Sequence, residues 1–243
     1  MELRPGYREW APPAALRPAV SCLWTSVVPD SEPTLVLPDG CTDIIWQQGS
    51  GVFVAGPDTG PAPAVLPPGT MLAGVRLRPG AGGPVLGLPL AELRDLRVDL
   101  AEVRPDLAGQ LPGGDLPPGQ ALGRLIAITA GLAAASPPDP LVSHAARLLA
   151  TSRERTDELA TELGLSERQL RRRCLDAVGY GPKALHRILR FRRFVSRIDA
   201  AGPGADLALI AAEAGYADQP HLTRESVRLA GLPPAALTRA RRG

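Results

Sequence analysis

Arg168, Arg171 and Arg172 stand three and four residues apart, the spacing at which side chains share one face of a helix. A guanidinium offers five N–H donors in a rigid fork and no acceptor. That fork suits carboxylates and phosphates, and it can take guanine O6 and N7 together in a DNA major groove. An arginine run also solvates a surface or grips phosphate, so the chemistry on offer is anion binding, with base reading as its sharper form. A second group, Gln219, Pro220, His221 and Arg224, follows later in the chain. His221 and Arg224 are again three apart and share a face, whereas Pro220 has no donor and can make only apolar contact. None of the three histidines, His144, His186 and His221, has a catalytic or metal partner close by in sequence.

Both groups need helices to hold them, and the flanking residues supply the signals. Thr156 reads as an N-cap, with Asp157 and Glu158 near the positive end of the helix dipole. That helix runs through Leu159, Ala160 and Leu163 to Gly164, and Ser166 and Gln169 then form a capping box for the arginine-bearing helix. Further on, Leu207, Ile210 and Ala211 make one apolar face, and Ala214, Gly215 and Tyr216 make a turn whose glycine tolerates a left-handed backbone. Asp218 caps the next helix, where Pro220 is tolerated because first-turn amides lack intrahelical acceptors. Pro182 opens a long helix to about Ala200, closed by Gly202, Pro203 and Gly204. Leu185, Ile188, Leu189, Val195 and Ile198 are spaced for burial there, with Arg187, Arg190, Arg193 and Arg197 largely on other faces. Helix, tight turn, capped helix is the helix-turn-helix pattern, and it occurs twice, at about 156–178 and 206–230.

TDELATELGLSERQLRRR and GYADQPHLTR resemble the first and second helix-turn-helix of the AraC/XylS transcription regulators of bacteria. The resemblance runs from Leu141 to Leu237. It implies an all-α DNA-binding domain whose two units are joined by a long helix and whose second helices enter successive major grooves. The family's base-reading positions fall on Arg168, Arg171 and Arg172 in the first unit and on Pro220, His221 and Arg224 in the second. Gln219, beside the cap, is a phosphate or base candidate, and Arg173 a phosphate or surface residue. RNA polymerase is the further partner the resemblance implies. Cys174 and Ser226 stand where the family usually buries an aromatic, and Leu237 and Thr238 replace its Tyr-Arg, which predicts a less tightly packed second unit.

Charge divides the chain in the same place. Residues 1–139 carry a net −5 and residues 140–243 a net +7, with Lys183 the only lysine among 27 basic residues. A basic half beside an acidic one suits a nucleic-acid module joined to a domain that should stay off nucleic acid.

Residues 1–115 read as a small β-rich domain, barrel or sandwich-like, which makes the whole chain α+β. Val20–Val28, Thr34–Leu37, Thr42–Gln47, Val52–Ala55 and Met71–Leu77 are the strand candidates, separated by Pro/Gly turns, and Leu90–Leu96 adds a short helix. VLPDGCTDIIW, GPDTGP and GVRLRPGAGGPVLGLPLAEL are similar to a sensor-like domain attached to some AraC-type regulators, which implies effector binding or dimerisation. Asp39, Cys41 and Asp43 read as turn and core rather than as a metal site or reactive thiol. Arg76 is expected to point outwards from its strand. Residues 116–139 form a linker with a helix at Gln120–Ala135, whose Leu122, Leu125, Ile126, Thr129 and Leu132 must bury against their own domain or a second subunit. Ser136 to Pro140 marks the boundary. Leu141, Ala145, Leu148 and Leu149 then form the face of the first helix of the basic half.

The three cysteines are scattered and suggest neither disulfides nor zinc, no motif asks for a cofactor, and no apolar run reaches membrane length. The expectation is a cytoplasmic, non-enzymatic regulator of double-stranded DNA, responsive to a small-molecule effector and able to form a homodimer. Its rivals are a constitutive regulator whose N-terminal domain only dimerises, and a DNA-repair alkyl transferase dependent on Cys41.

Overall fold

The computed structural model describes residues 6–30, 34–151, 156–201 and 206–242, with side chains throughout except those of Thr156, Asp157 and Arg242. Among the described residues, eight strands occupy the N-terminal part: β1 (Arg8–Trp10), β2 (Val20–Val27), β3 (Thr34–Val36), β4 (Thr42–Gln47), β5 (Gly51–Ala55), β6 (Ala62–Ala64), β7 (Met71–Leu77) and β8 (Arg97–Asp99). Six form one antiparallel sheet in the order β1-β2-β7-β4-β5-β8, and β3 pairs with β6 in a separate ladder. The two-residue period of a strand sorts their side chains. Thr42, Ile44 and Trp46 of β4, with Ala73, Val75 and Leu77 of β7, face a core, while Asp43 and Arg76, paired in register, share the opposite face.

The core face is covered by α3 (Pro118–Ala135), which lays Ala121, Leu125, Thr129 and Leu132 against β7 and β4. The helix of the linker segment thus buries its stripe in its own chain. It starts at Pro118, earlier than Gln120, because a proline is well placed in a first turn. Three-residue β1, β6 and β8 are too short to show alternation, and β6 contains a proline; nothing in the sequence marks them. Short helices α1 (Gly82–Leu86) and α2 (Leu100–Val103) and 3-10 turns at Ala14–Leu16, Leu90–Leu93 and Pro105–Gln110 also belong to this part.

Seven helices follow among the described residues: α4 (Pro140–Thr151), α5 (Thr156–Glu162), α6 (Glu167–Val178), α7 (Pro182–Ala200), α8 (Leu207–Ala214), α9 (Gln219–Ala230) and α10 (Pro234–Arg242). They enclose a second core in which α7 is central, touching α4, α5, α6, α8, α9 and α10. A helix packed on several sides buries more than one stripe. Phe191 and Phe194 are therefore fully enclosed beside Leu185, Ile188, Leu189 and Ile198, and the Phe194 ring meets Tyr216 edge-on at 6.0 Å. On α4 the buried face is Val142, Ala145, Ala146 and Leu149, turned by a residue from the expected one. Asp139 sets that start, its Oδ1 accepting from the amides of Leu141 and Val142. Thr156 as a cap, and helix termination at Gly202, Pro203 and Gly204, fall outside what the structure describes.

The two cores meet. Helix α1 and the Leu90–Leu93 turn pack on α6, and Leu37 lies against the helical core.

Candidate nucleic-acid interface

Helix α6 is fixed at its start by the capping box. The Ser166 amide donates to Gln169 Oε1 at 2.8 Å, and the Gln169 amide donates to Ser166 Oγ at 3.2 Å. Leu170, Cys174, Ala177 and Val178 face the core. Arg168, Arg171 and Arg172 stand exposed on the opposite side, and none makes a side-chain hydrogen bond or ion pair with a described residue. Arg173, expected as a phosphate or surface residue, is 42% exposed and donates from Nη1 to Asp139 Oδ2 at 2.6 Å. Its position one residue off the exposed face turns it towards the linker.

Helix α9 follows the same plan. Asp218 Oδ1 accepts from the His221 amide at 2.7 Å, and Pro220 sits in the first turn. The preceding α8 buries Ile210, Ala211 and Ala214 and ends at Gly215, whose φ of +96° only glycine adopts without strain. Gln219, Pro220 and Arg224 are exposed.

His221 is not free in the same way. Its ring meets Tyr216 edge-on at 5.3 Å, and Nε2 lies 3.1 Å from Arg190 Nη2 and 3.4 Å from Glu225 Oε1. A hydrogen bond from Arg190 needs Nε2 as acceptor and one to Glu225 needs it as donor, so the ring's tautomer decides between the two. Arg190 Nη2 also donates to buried Glu225 Oε1 at 2.5 Å, and its guanidinium lies 4.9 Å from the centre of the Tyr216 ring. Burial, with the Glu225 charge beside it, pushes the Tyr216 hydroxyl above its ordinary range. Arg190 is thus a structural residue of the second unit. Sequence reasoning missed this pairing because the partners are 35 residues apart and belong to different helices.

The positions expected to leave the second unit loose are filled by other means. Ser226 is fully enclosed and donates from Oγ to Leu232 O at 2.6 Å, tying down the chain beyond α9. Cys174 is equally enclosed, its thiol pushed up to about 12 by burial. Leu237 and Thr238 are both buried in α10.

In the β-rich part, Arg76 does not point into solvent as expected. It lies among three carboxylates, with Nε 3.2 Å from each Asp43 oxygen and 3.7 Å from Asp39 Oδ2, and Nη1 3.6 Å from Glu9 Oε1. Trp24 Nε1 donates to Asp43 Oδ1 at 2.7 Å. The cross-strand register explains the arrangement, since Cys22, Arg76 and Asp43 are successive partners on β2, β7 and β4. Asp39 Oδ1 accepts from the Cys41 amide at 2.8 Å, the turn geometry expected for Asp before glycine. Burial, then the Asp39 charge, holds the Cys41 thiol well above its ordinary range. A nucleophilic cysteine needs the opposite surroundings, which counts against the alkyl transferase. Among the described residues no group of three or more His, Cys, Asp or Glu side chains is placed to hold a metal ion.

Comparison with known proteins places this geometry. Residues 159–240 match the family model described as a helix-turn-helix domain, and residues 8–99 match a domain of unknown function, DUF6597. No curated protein matches the chain. Among solved structures, ToxT from Vibrio cholerae is similar at 11% identity, covering 91% of this chain and 98% of that one with a TM-score of 0.50. A second ToxT structure, an apo form, is 11% identical over 89% of this chain and 96% of that one, with a TM-score of 0.49. At such identity the likeness is one of fold: an antiparallel sheet domain followed by a helical domain. The class these findings define is a helix-turn-helix protein with an antiparallel-sheet domain in front. In particular, the chain carries an AraC-type helix-turn-helix domain at its C-terminal end, behind a DUF6597 domain. No single helix among the described residues is long and apolar enough to cross a membrane.

Proposed function

We propose that the chain binds double-stranded DNA sequence-specifically by inserting α6 and α9 into successive major grooves. Residues 140–243 are the binding unit, and the N-terminal domain either senses an effector or dimerises. Arg168, Arg171 and Arg172 read bases from α6, while Gln219, Pro220, His221 and Arg224 contact the duplex from α9. RNA polymerase is the further partner that the AraC-type character of the domain suggests.

The observation that carries this reading is a contrast among arginines. Arg173, Arg190 and Arg241 are bound to Asp139, Glu225 and Asp199, Arg197 pairs with Glu213, and Arg193 donates to Ala150 O at 2.7 Å. The arginines on the outer face of α6, and Arg224 on α9, have no such partner among the described residues. The exposed Arg192, Arg228 and Arg239 share that lack, but only Arg168, Arg171 and Arg172 stand as three on one face of a capped helix. Guanidinium groups left unengaged on a helix that can enter a groove are what bidentate guanine contacts require.

Two measurements test it. The logarithm of the full chain's affinity for duplex DNA should fall linearly with the logarithm of salt concentration, as phosphate contacts release counterions. Affinity indifferent to salt would end the proposal. Arg171→Ala and Arg172→Ala should each cost about 1–3 kcal/mol of binding and relax preference at one base pair. Selection from a random duplex library reads the second effect, and unchanged base preference in both variants would remove these residues as readers. With Pro220 in place of a donor, the half-site under α9 should carry less sequence information than the one under α6.

A further inference from the structure

The two recognition helices end alike. Helix α6 closes on Gly179 with φ +89°, and α9 closes on Gly231 with φ +70°. Each of these glycines abuts a proline, and both prolines belong to one loop of the N-terminal domain. A Cβ added at Gly179 would stand 2.5 Å from Pro57 Cγ and 3.1 Å from Leu90 O, and one at Gly231 would stand 3.8 Å from Pro61 Cγ. Between the prolines, a Cβ at Gly60 would stand 3.8 Å from the carbonyl oxygen of Arg228 in the last turn of α9. The residues that face DNA occupy the N-terminal halves of both helices. Their C-terminal ends rest on Pro57–Pro61.

The loop is anchored to the chain at 93–97. Asp58 takes both Arg97 Nη groups, at 2.8 and 2.7 Å. Thr59 donates its amide to Asp95 Oδ1 at 2.6 Å, and its hydroxyl lies 2.8 Å from Oδ2. The Asp95 amide returns a bond to Pro57 O at 3.2 Å, and the Gly56 amide donates to Leu96 O at 3.0 Å. Asp95 is the one non-glycine residue with positive φ among the described residues, at +60°. Such a conformation persists only where the surroundings over-determine it.

From this we infer that the loop Pro57–Pro61 is a brace that fixes the separation and tilt of α6 and α9. The N-terminal domain then sets which spacing between half-sites the protein accepts, with Asp58, Thr59, Asp95 and Arg97 as positioning residues. The inference rests on the DNA-binding reading above. Helix α7 packs on both units within one shared core. The loop supports each recognition helix at its far end, from outside that core.

The test uses the full chain and a duplex library in which both base sequence and half-site separation vary. The wild-type protein should enrich one dominant separation. Asp95→Gly suits the positive φ and removes the carboxylate that holds Thr59, and Thr59→Val removes only the hydroxyl contacts. Both should lower the share of the dominant separation several-fold and raise its neighbours, with base preference inside each half-site unchanged. A merely structural role would weaken binding at every separation and leave the spectrum of separations as it was, and that result overturns the brace. Thermal unfolding identifies a variant that does not fold, in which case the milder Thr59→Val decides the matter. A wild-type protein that enriches base patterns at no preferred separation also overturns the brace but leaves the DNA-binding reading standing. If it enriches no base pattern at all, both fall.

Discussion

Arg190→Ala should destabilise the protein by about 3–5 kcal/mol, the cost expected when one partner of a buried ion pair is removed. The Arg190 and Glu225 side chains are only 16% and 9% exposed, so water cannot take over the lost guanidinium's role. The same change removes the cation from beside the Tyr216 ring and strips His221 of its neighbour. Glu225→Ala should cost a similar amount by leaving the guanidinium unpaired. Replacing both, as Arg190→Met with Glu225→Leu, should recover most of the loss, because apolar residues of similar volume substitute well for a buried pair. Urea unfolding of the two single variants and the double variant measures the coupling. An Arg190→Ala variant within about 1 kcal/mol of wild type, the range of an exposed pair, would show that the pair is a surface contact instead. Arg190→Ala is accordingly a poor probe of phosphate gripping, since any loss of DNA affinity would come through displacement of α9.

Gly83→Ala should be nearly as damaging, although alanine is the better helix former. A Cβ at Gly83 would stand 2.1 Å from the carbonyl oxygen of Asp176 and 3.1 Å from the Cα of Ala177, both backbone atoms of α6. No rotamer change relieves a clash between two backbones, so α1 and α6 must separate. Overpacking of this kind costs about 1–3 kcal/mol. For a chain of this length that corresponds to roughly 2–12 °C in melting temperature. Calorimetry should show the lower midpoint, and the displacement of α6 should weaken DNA binding although no contact residue has changed. An unaltered melting profile would mean that the two domains are not packed closely at this point.

Much of the architecture could be read from local signals. The Ser166–Gln169 capping box, Asp218 as a cap, the Gly215 turn and Pro182 at the head of α7 each declare themselves within four residues, and the structure places all of them as expected. Strands β4 and β7 were equally legible from alternation and flanking turns. What could not be read depends on partners distant in sequence. Arg76 looked like an outward strand residue because nothing local announces Glu9, Asp39 and Asp43 around it. Phe191 and Phe194 fell outside the expected stripe because periodicity describes one buried face and α7 has several. The exposed arginines of α6 were legible because exposure requires no partner, whereas the ion pairs of Arg173 and Arg190 were not, their partners lying 34 and 35 residues away.

Asp139 shows how one carboxylate can serve two masters. Its Oδ1 caps α4 and its Oδ2 holds Arg173, so the start of the helical domain and the recognition helix share a single side chain. If α6 enters a groove as proposed, loss of Asp139 would free Arg173 as a fourth cation beside Arg168, Arg171 and Arg172. A fourth guanidinium beside the reading face would add attraction to any phosphate, whatever the sequence beneath it. If α6 reads bases as proposed, holding Arg173 at Asp139 favours discrimination over grip, through a residue that never needs to touch DNA.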